Sequence, residues 1–297
     1  DNNEADQPTQ DVGPDQQSMQ RTGIKQGDLP KKSGLPTDIP VIPRRGRVVF
    51  PAIVFPMHIE DDDKLEAVEE AIHGDKTFLA LNYRPEDEPE MEEEGEEEAE
   101  RVPLSERLCD VGTTCVIVQM LRMPDGSVQF LAQGVSRSRV KYYTKTEPHL
   151  AAEVEHLQEE VPEDTETHAL FQNLRNQFIE MVDSVPYMGD DVKVALSNLE
   201  EPGRLADMVA FNLNISNEER QGLLETLNVK ERLRKLTRLL AREKQYLETA
   251  KKIQSEAESE MNQAQREYYL RKQLKAIKEE LGESDSGMAE VEELREK

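Results

Sequence analysis

Two cysteines are the residues of this chain whose type is best suited to chemistry. Cys109 and Cys115 lie close together in a stretch rich in β-favouring residues, and the five histidines are scattered along the chain. Zinc sites and redox centres commonly use a closer C-x-x-C pair, which this spacing does not provide. We therefore expect two half-buried thiols in a reducing compartment, with a disulfide or a metal site as the alternative.

Common catalytic and nucleotide-binding motifs are absent from the sequence. Phosphate binding by a P-loop requires GxxxxGK[ST], and that run does not occur, nor do HExxH, GxSxG or GxGxxG. Serine and lysine residues are present, but no pattern marks one as a nucleophile with an adjacent base. We therefore expect a chain with no catalytic residues, no cofactor and no metal site of its own.

The charge balance makes nucleic acid an unlikely partner class. The chain has 37 lysine and arginine residues against 62 aspartate and glutamate residues, a formal net charge of −25. Nucleic-acid binding requires a basic face that neutralises phosphates. The run 86–100 is almost entirely acidic and predicts an extended, solvated loop. Calcium binding by this run is the weaker alternative, because calcium loops space their ligands around a turn glycine.

Composition and hydrophobic patterning divide the chain into five segments. We predict a disordered tail, a β-rich domain with an acidic loop at 84–101, a helical bundle, a long heptad-patterned helix and an acidic linker, over 1–36, 37–158, 159–243, 244–283 and 284–297. No run approaches the roughly 18 apolar residues that span a bilayer. The start also lacks the pattern of a signal peptide. We therefore expect a cytoplasmic protein without membrane contact.

The β-rich domain is predicted from short apolar runs punctuated by proline. Val48-Val49-Phe50 and Ile53-Val54-Phe55 predict edge or kinked strands, and 64–72 predicts one small helix. The turn signal at 124–127 predicts a hairpin, which Gly134 is expected to end. Six or seven short strands with one helix indicate an α+β fold built on a partly open barrel.

Beyond the acidic stretch 159–166 the hydrophobic period changes to that of helices. Pro202 is expected to open one helix, and Ser216 with Glu219 forms a predicted capping box. From 229 to 281 there is no proline or glycine, which predicts one long helix whose heptad pattern slips near 257–261. Its apolar seam needs a partner, so the helix either dimerises, associates in a ring or packs on its own bundle.

At its end this helix resembles a known family. The run REYYLRKQLKAIKEELG at 266–282 is similar to the segment that precedes the ATPase module of Lon proteases. Five further runs are similar to that family: PVIP at 40–43, VVFP at 48–51, DVGT at 110–113, PDG at 124–126 and RLAD at 204–207. The chain departs from the family where Glu60-Asp61-Asp62-Asp63 replaces a usual Gly-Arg pair, and in its acidic run.

The resemblance implies the amino-terminal region of a bacterial-type Lon protease, over roughly 38–283. It implies a β-rich, PUA-like pseudobarrel, a helical bundle and a long helix leading to an ATPase module beyond this chain. Such a region recognises unfolded, misfolded and regulatory proteins and helps a homo-hexamer assemble. ATP, magnesium and Ser-Lys endopeptidase activity are expected only in later segments of the parent protein. The alternative is a coiled-coil oligomerisation scaffold that does not bind substrates.

Two apolar sets are our candidates for binding an unfolded chain, because adaptable apolar surface suits many sequences. One set lies in the proline-rich region and the other late in the long helix: Ile53, Val54, Phe55 and Met57, and Met261, Tyr268, Tyr269 and Leu270. The alternative for the first set is that it fills the barrel. The alternative for the second is packing between neighbouring helices of an oligomer.

Overall fold

A computed structural model describes residues 34–59, 62–87, 102–123, 127–184 and 190–280. The chain divides into two compact units, residues 1–240 and residues 241–297. The strands are β1 (Asp38–Arg44), β2 (Val54–Ile59), β3 (Thr77–Asn82), β4 (Val111–Arg122), β5 (Val128–Lys145) and β6 (Ala151–His156). The helices are α1 (Asp62–His73), α2 (Leu104–Arg107), α3 (Thr165–Ser184), α4 (Asp190–Ser197), α5 (Pro202–Asn212), α6 (Asn217–Glu225) and α7 (Val229–Glu280).

The six strands form one sheet in the order β2-β5-β4-β3-β1-β6, and a further pairing of β5 with β6 closes five of them into a barrel. Strand β1 pairs with β3 in parallel, and every other pairing is antiparallel. Strand β5 makes the closure possible, since its 18 residues pair with β2, β4 and β6 in turn. The predicted α+β fold with a β-rich pseudobarrel, a helical bundle and a long helix is confirmed.

Gly134 does not end the hairpin, contrary to the sequence-based expectation. It lies inside β5 opposite Cys115, where the register with β4 shifts. A Cβ atom at this position would lie 2.4 Å from the carbonyl oxygen of Phe50. The glycine therefore permits a close backbone approach, and β5 continues past it. The strand predicted at 48–50 is also not formed: these residues have no regular secondary structure, although Phe50 is fully buried.

The barrel encloses two apolar clusters. One lies beneath α1 and includes Phe78 and Phe130, whose rings meet edge to face with centroids 5.8 Å apart. The other is centred on Leu79, Leu81 and Val154. Both cysteines are buried free thiols. Burial raises the pKa of Cys109 to about 11, with the charge of Glu225 adding to the effect, and burial raises that of Cys115 to about 12.

Helices α3 to α6 and the beginning of α7 enclose a separate apolar core. Leu174, Phe178, Leu205, Val209 and Leu233 are all fully buried there. Local signals fix several boundaries of these helices. Pro202 is the first residue of α5, as predicted. The predicted capping box is also present: Ser216 accepts from the backbone N–H of Glu219, and the Glu219 carboxylate accepts from the backbone N–H of Ser216.

Several expectations concern residues outside the described part of the chain. They are residues 1–33 of the tail predicted over 1–36, residues 88–101 of the acidic loop predicted over 84–101, residues 124–126 of the predicted turn and the linker over 284–297, and these expectations remain predictions. Within the described residues, no helix combines the length and apolar character required to cross a membrane.

Candidate functional site

Two arginines and two carboxylates form a buried cluster where the barrel meets the helices. Arg137 on β5 donates to Asp207 on α5 over 2.5 and 2.9 Å, and to Glu159 over 2.7 Å. Arg232, in the first turn of α7, donates to the same two carboxylates, each over 2.6 Å. The side chains of Arg137, Arg232 and Asp207 are 1, 0 and 4 % exposed. We call these four residues the arginine cluster.

The arginine cluster balances charge in a place where unpaired charge would be costly. Burial alone would lower the pKa of Arg137, but the charge and hydrogen bonds of Asp207, with the charge of Glu159, outweigh it and raise that pKa. The Nε of Arg137 also donates to the carbonyl oxygen of Leu224 on α6, over 2.9 Å. Arg137 thus contacts α5, α6 and Glu159, and Arg232 of α7 donates to the same Glu159 carboxylate. The cluster therefore connects the first turn of α7 to β5 and α5.

The first set of sequence-predicted binding residues lies mostly in the barrel core. Phe55 and Met57 are 4 and 9 % exposed and pack in the cluster beneath α1. The guanidinium of Arg44 lies 4.6 Å from the ring centroid of Phe55. Ile53 and Val54 are half-buried. In this conformation an incoming chain can reach Ile53 and Val54, whereas Phe55 and Met57 would require the sheet to open. Client binding by this set remains a prediction.

The second set is exposed on α7. Met261, Tyr268, Tyr269 and Leu270 are 57, 69, 65 and 55 % exposed, so all four side chains are open to solvent. Four more large apolar side chains of this helix are similarly exposed: Tyr246, Ile253, Leu274 and Ile277. Exposed apolar surface on this scale commonly marks an interaction site. We call these eight residues the α7 stripe.

From Tyr246 onward, the spacing of residues along α7 departs from a strict heptad. Large residues alternate with alanine at Tyr246, Ala250, Ile253, Ala257, Met261, Ala264 and Tyr268. The intervals between successive residues are four, three and four, and this set of intervals occurs twice. These intervals define an 11-residue repeat, which keeps its positions on one side of a nearly straight helix. Leu270, Leu274 and Ile277 then follow on a rotated side. The slip near 257–261 is therefore part of a regular repeat.

The arginine cluster was missed in the sequence. Arg137 lies in the continuous polar run 136–139, which contains no alternation that would mark one side chain as buried. Its main partner, Asp207, is 70 residues away along the chain. The one available signal was that Asp207 ends the RLAD run at 204–207, which already stood out by its resemblance to a family.

Comparisons with known proteins identify the class. Residues 38–242 match the family described as the ATP-dependent protease La (LON) substrate-binding domain. The chain is 36 % identical over 275 residues to the Lon protease of Dictyoglomus thermophilum, covering 92 % of this chain and 33 % of that protein. It is 37 % identical over 263 residues to Lon protease 2 of Thermus thermophilus, covering 89 % of this chain and 31 % of that protein.

A solved structure shares the fold. The N-terminal domain of the Mycobacterium avium complex Lon protease aligns with a TM-score of 0.54 at 22 % identity, covering 69 % of this chain and 98 % of that one. The family match, and not the shared fold, identifies the class as a substrate-binding domain of a protease. The chain belongs to the Lon substrate-binding domain family, and it spans about one third of the length of the curated relatives it matches.

Proposed function

We propose that this chain is the substrate-recognition and hexamer-assembly region of a cytoplasmic, ATP-dependent Lon protease that degrades misfolded and regulatory proteins. The family match and the relatives named Lon protease support this proposal. In this proposal ATP and magnesium binding and Ser-Lys proteolysis belong to segments beyond this chain. Its partners are unfolded proteins and other subunits of a homo-hexamer, and nucleic acids and membranes are not among them.

The α7 stripe is the observation that carries this proposal. Unfolded proteins expose apolar side chains, and a site that accepts many of them needs surface that adapts to different shapes. Methionine is flexible and polarizable, and tyrosine combines a large apolar ring with a hydroxyl group that tolerates water. Met261, Tyr268 and Tyr269 provide this combination, and each is more than half exposed.

A coiled-coil scaffold is the second candidate, and the repeat on α7 favours it. Alternating large residues and alanines in an 11-residue pattern suit close pairing of one helix with another. In such a pair the α7 stripe would be buried between subunits. A scaffold of this kind predicts no binding of unfolded proteins to the isolated chain.

Stripe variants of the 297-residue chain separate the two functions. We propose the double variant Tyr268→Ser/Leu270→Ser, with Gln263→Ser/Gln273→Ser as the matched control on exposed polar residues of the same helix. The readouts are fluorescence anisotropy with a labelled, reduced and carboxymethylated protein, and light scattering across concentration. Client recognition predicts that affinity falls by about tenfold or more in the stripe variant alone, equivalent to about 1.4 kcal/mol. A wild-type chain that associates with itself but binds no denatured protein would establish the scaffold instead.

A further inference from the structure

A groove on the helical bundle is separate from both predicted binding sets. It lies between α6 and the beginning of α7 and has a volume of about 310 Å³. Its lining consists of Glu219, Gly222, Leu223, Lys235, Arg238 and Leu239. This volume is at the lower end of the roughly 300–1,000 Å³ typical of ligand pockets. It is large enough for a few side chains of a bound peptide.

The floor of the groove is apolar and open. Leu223 is 1 % exposed and packs within the bundle, whereas Leu239 is half-buried and keeps part of its side chain open to solvent. At Gly222 an added Cβ would meet no atom within 4 Å. A helix interior normally disfavours glycine by about 1 kcal/mol relative to alanine. Here the missing side chain leaves space directly above the apolar floor.

The rim of the groove carries an excess of positive charge. The ammonium group of Lys235 donates to the hydroxyl of Thr226 over 2.9 Å. The Glu219 carboxylate already accepts from the backbone N–H of Ser216 within the capping box. Arg238 is exposed, and no residue in the described ranges hydrogen-bonds to its guanidinium or forms an ion pair with it. In a chain of net charge −25, two cations beside an apolar floor form a locally distinct surface.

We propose that this groove binds an extended client segment in which an apolar side chain stands next to carboxylates. The apolar side chain occupies the space above Gly222 and packs on Leu223 and Leu239. A neighbouring carboxylate pairs with Arg238, whose planar guanidinium suits bidentate contact, and Lys235 adds a second positive charge. This assignment rests on the proposed function, because it names a class of substrate for a substrate-binding domain.

Charge explains why such a site would be useful on this chain. An acidic client is repelled by most of a surface with net charge −25, and a neutral apolar surface would not offset that repulsion. The groove combines apolar contact with two cations, so it would let segments that are both acidic and apolar bind. Basic clients need no such site, because the net negative charge of the chain already attracts them. A basic segment of the same hydrophobicity would meet Lys235 and Arg238 as like charges.

Synthetic peptides and four variants of the 297-residue chain test the assignment. Three fluorescein-labelled twelve-residue peptides are used: leucine alternating with aspartate, leucine alternating with lysine, and serine alternating with aspartate. Gly222→Leu fills the groove, and Gly222→Ala is its control because a single methyl leaves most of the space open. Arg238→Gln removes the unpaired cation, and Arg204→Gln, on an exposed arginine of α5, is the charge-matched control. Circular dichroism checks that each variant is folded, and light scattering measures its mass.

The assignment predicts a specific pattern of affinities. The leucine–aspartate peptide binds the wild-type chain, and each of the other two peptides binds about tenfold more weakly or worse, a difference of about 1.4 kcal/mol. Gly222→Leu and Arg238→Gln each weaken the leucine–aspartate peptide by about tenfold, whereas both controls stay within about twofold. Binding of the denatured protein through the α7 stripe is retained in all four variants.

Three outcomes overturn the assignment in different ways. Equal binding of the leucine–aspartate peptide to wild type and to Gly222→Leu places that peptide elsewhere and leaves the proposed function standing. A change in mass for Gly222→Leu without a change in peptide affinity makes the groove a contact between copies of this chain. If the wild-type chain binds neither the peptides nor the denatured protein, the proposed function and the assignment are both refuted.

Discussion

Arg137 and Asp207 form a bidentate ion pair, with N–O distances of 2.5 and 2.9 Å, in which both side chains are almost fully buried. The pair joins a barrel strand to a helix of the bundle. Arg232 donates to the same carboxylate, so one aspartate holds guanidinium groups from β5 and α7. A short polar side chain thus determines where the long helix begins relative to the barrel.

The first prediction concerns removal of that charge. Asp207→Asn leaves two buried guanidinium groups with Glu159 as their remaining carboxylate partner. Breaking a buried pair in this way costs about 3–5 kcal/mol, because the remaining charge is not compensated. We expect a loss of this size in the free energy of unfolding, measured by urea titration of the 297-residue chain.

Arg204→Gln is the control for this prediction. Arg204 pairs with Glu201 over 2.9 Å, but the two side chains are 43 and 67 % exposed. Exposed pairs of this kind contribute about 1 kcal/mol or less. If Asp207→Asn were no more destabilising than Arg204→Gln, the arginine cluster would not stabilise the contact of β5 with α5 and α7.

The second prediction compares two glycines with opposite surroundings. In Gly134→Ala the new Cβ would lie 2.4 Å from the Phe50 carbonyl oxygen and 3.1 Å from its carbon, so the backbone must move. Overpacking of this kind costs about 1–3 kcal/mol. In Gly222→Ala the methyl enters open space within α6, and we expect a gain of about 0.5–1 kcal/mol. Thermal melts of the two variants should shift in opposite directions, and a shared sign would refute the proposed role of Gly134.

Signals carried within a few residues predicted much of the helical part of this fold. Ser216 and Glu219 are three residues apart, and their capping box forms as expected. Pro202 opens α5, and the proline-free stretch from 229 forms α7. Each of these features depends on backbone groups within one helical turn or on the absence of a helix breaker, so the sequence alone contains the required information.

Features that depend on distant partners could not be predicted in the same way. Gly134 was expected to end a strand because glycine is a common breaker, but its actual role is set by Phe50, which another part of the chain brings against it. The burial of Arg137 depends on Asp207, which lies on a helix 70 residues away along the chain, and no local pattern connects the two. Phe55 was ambiguous between a binding surface and the core, and only the closed barrel places it in the core.

The third prediction concerns pH. Asp164 precedes α3 and accepts from Lys230 and from the backbone N–H of Thr167, over 2.8 and 2.7 Å. These contacts, that from Lys230 first, lower the pKa of Asp164 from 3.8 to about 2. A carboxyl group with a lowered folded-state pKa stabilises the fold above its unfolded pKa, and this contribution disappears as the pH falls from about 4 to about 2.

Asp164→Asn isolates that contribution, because asparagine keeps an oxygen that can accept from Thr167 but has no charge to titrate. We expect the variant to melt below wild type at neutral pH and the difference to narrow as the pH falls from about 4 towards 2. High salt should also narrow it at neutral pH, since the Lys230 pair is on the surface. A difference that stays constant across this pH range would show that the charge of Asp164 contributes nothing.

The last prediction concerns the two thiols. Cys109 is 8 % exposed and Cys115 is fully buried, and burial raises their pKa values to about 11 and about 12. The thiolate is the reactive form, so raising the pKa of Cys109 from 9.0 to about 11 lowers its thiolate fraction near pH 8 by about a hundredfold, and the fraction for Cys115 falls further. We expect Ellman's reagent to label neither residue readily in the folded chain and to label both in urea. Cys115→Ala, which leaves only Cys109, should react faster than Cys109→Ser, which leaves only Cys115. The reverse order would contradict the burial that places Cys115 in the core beneath α1.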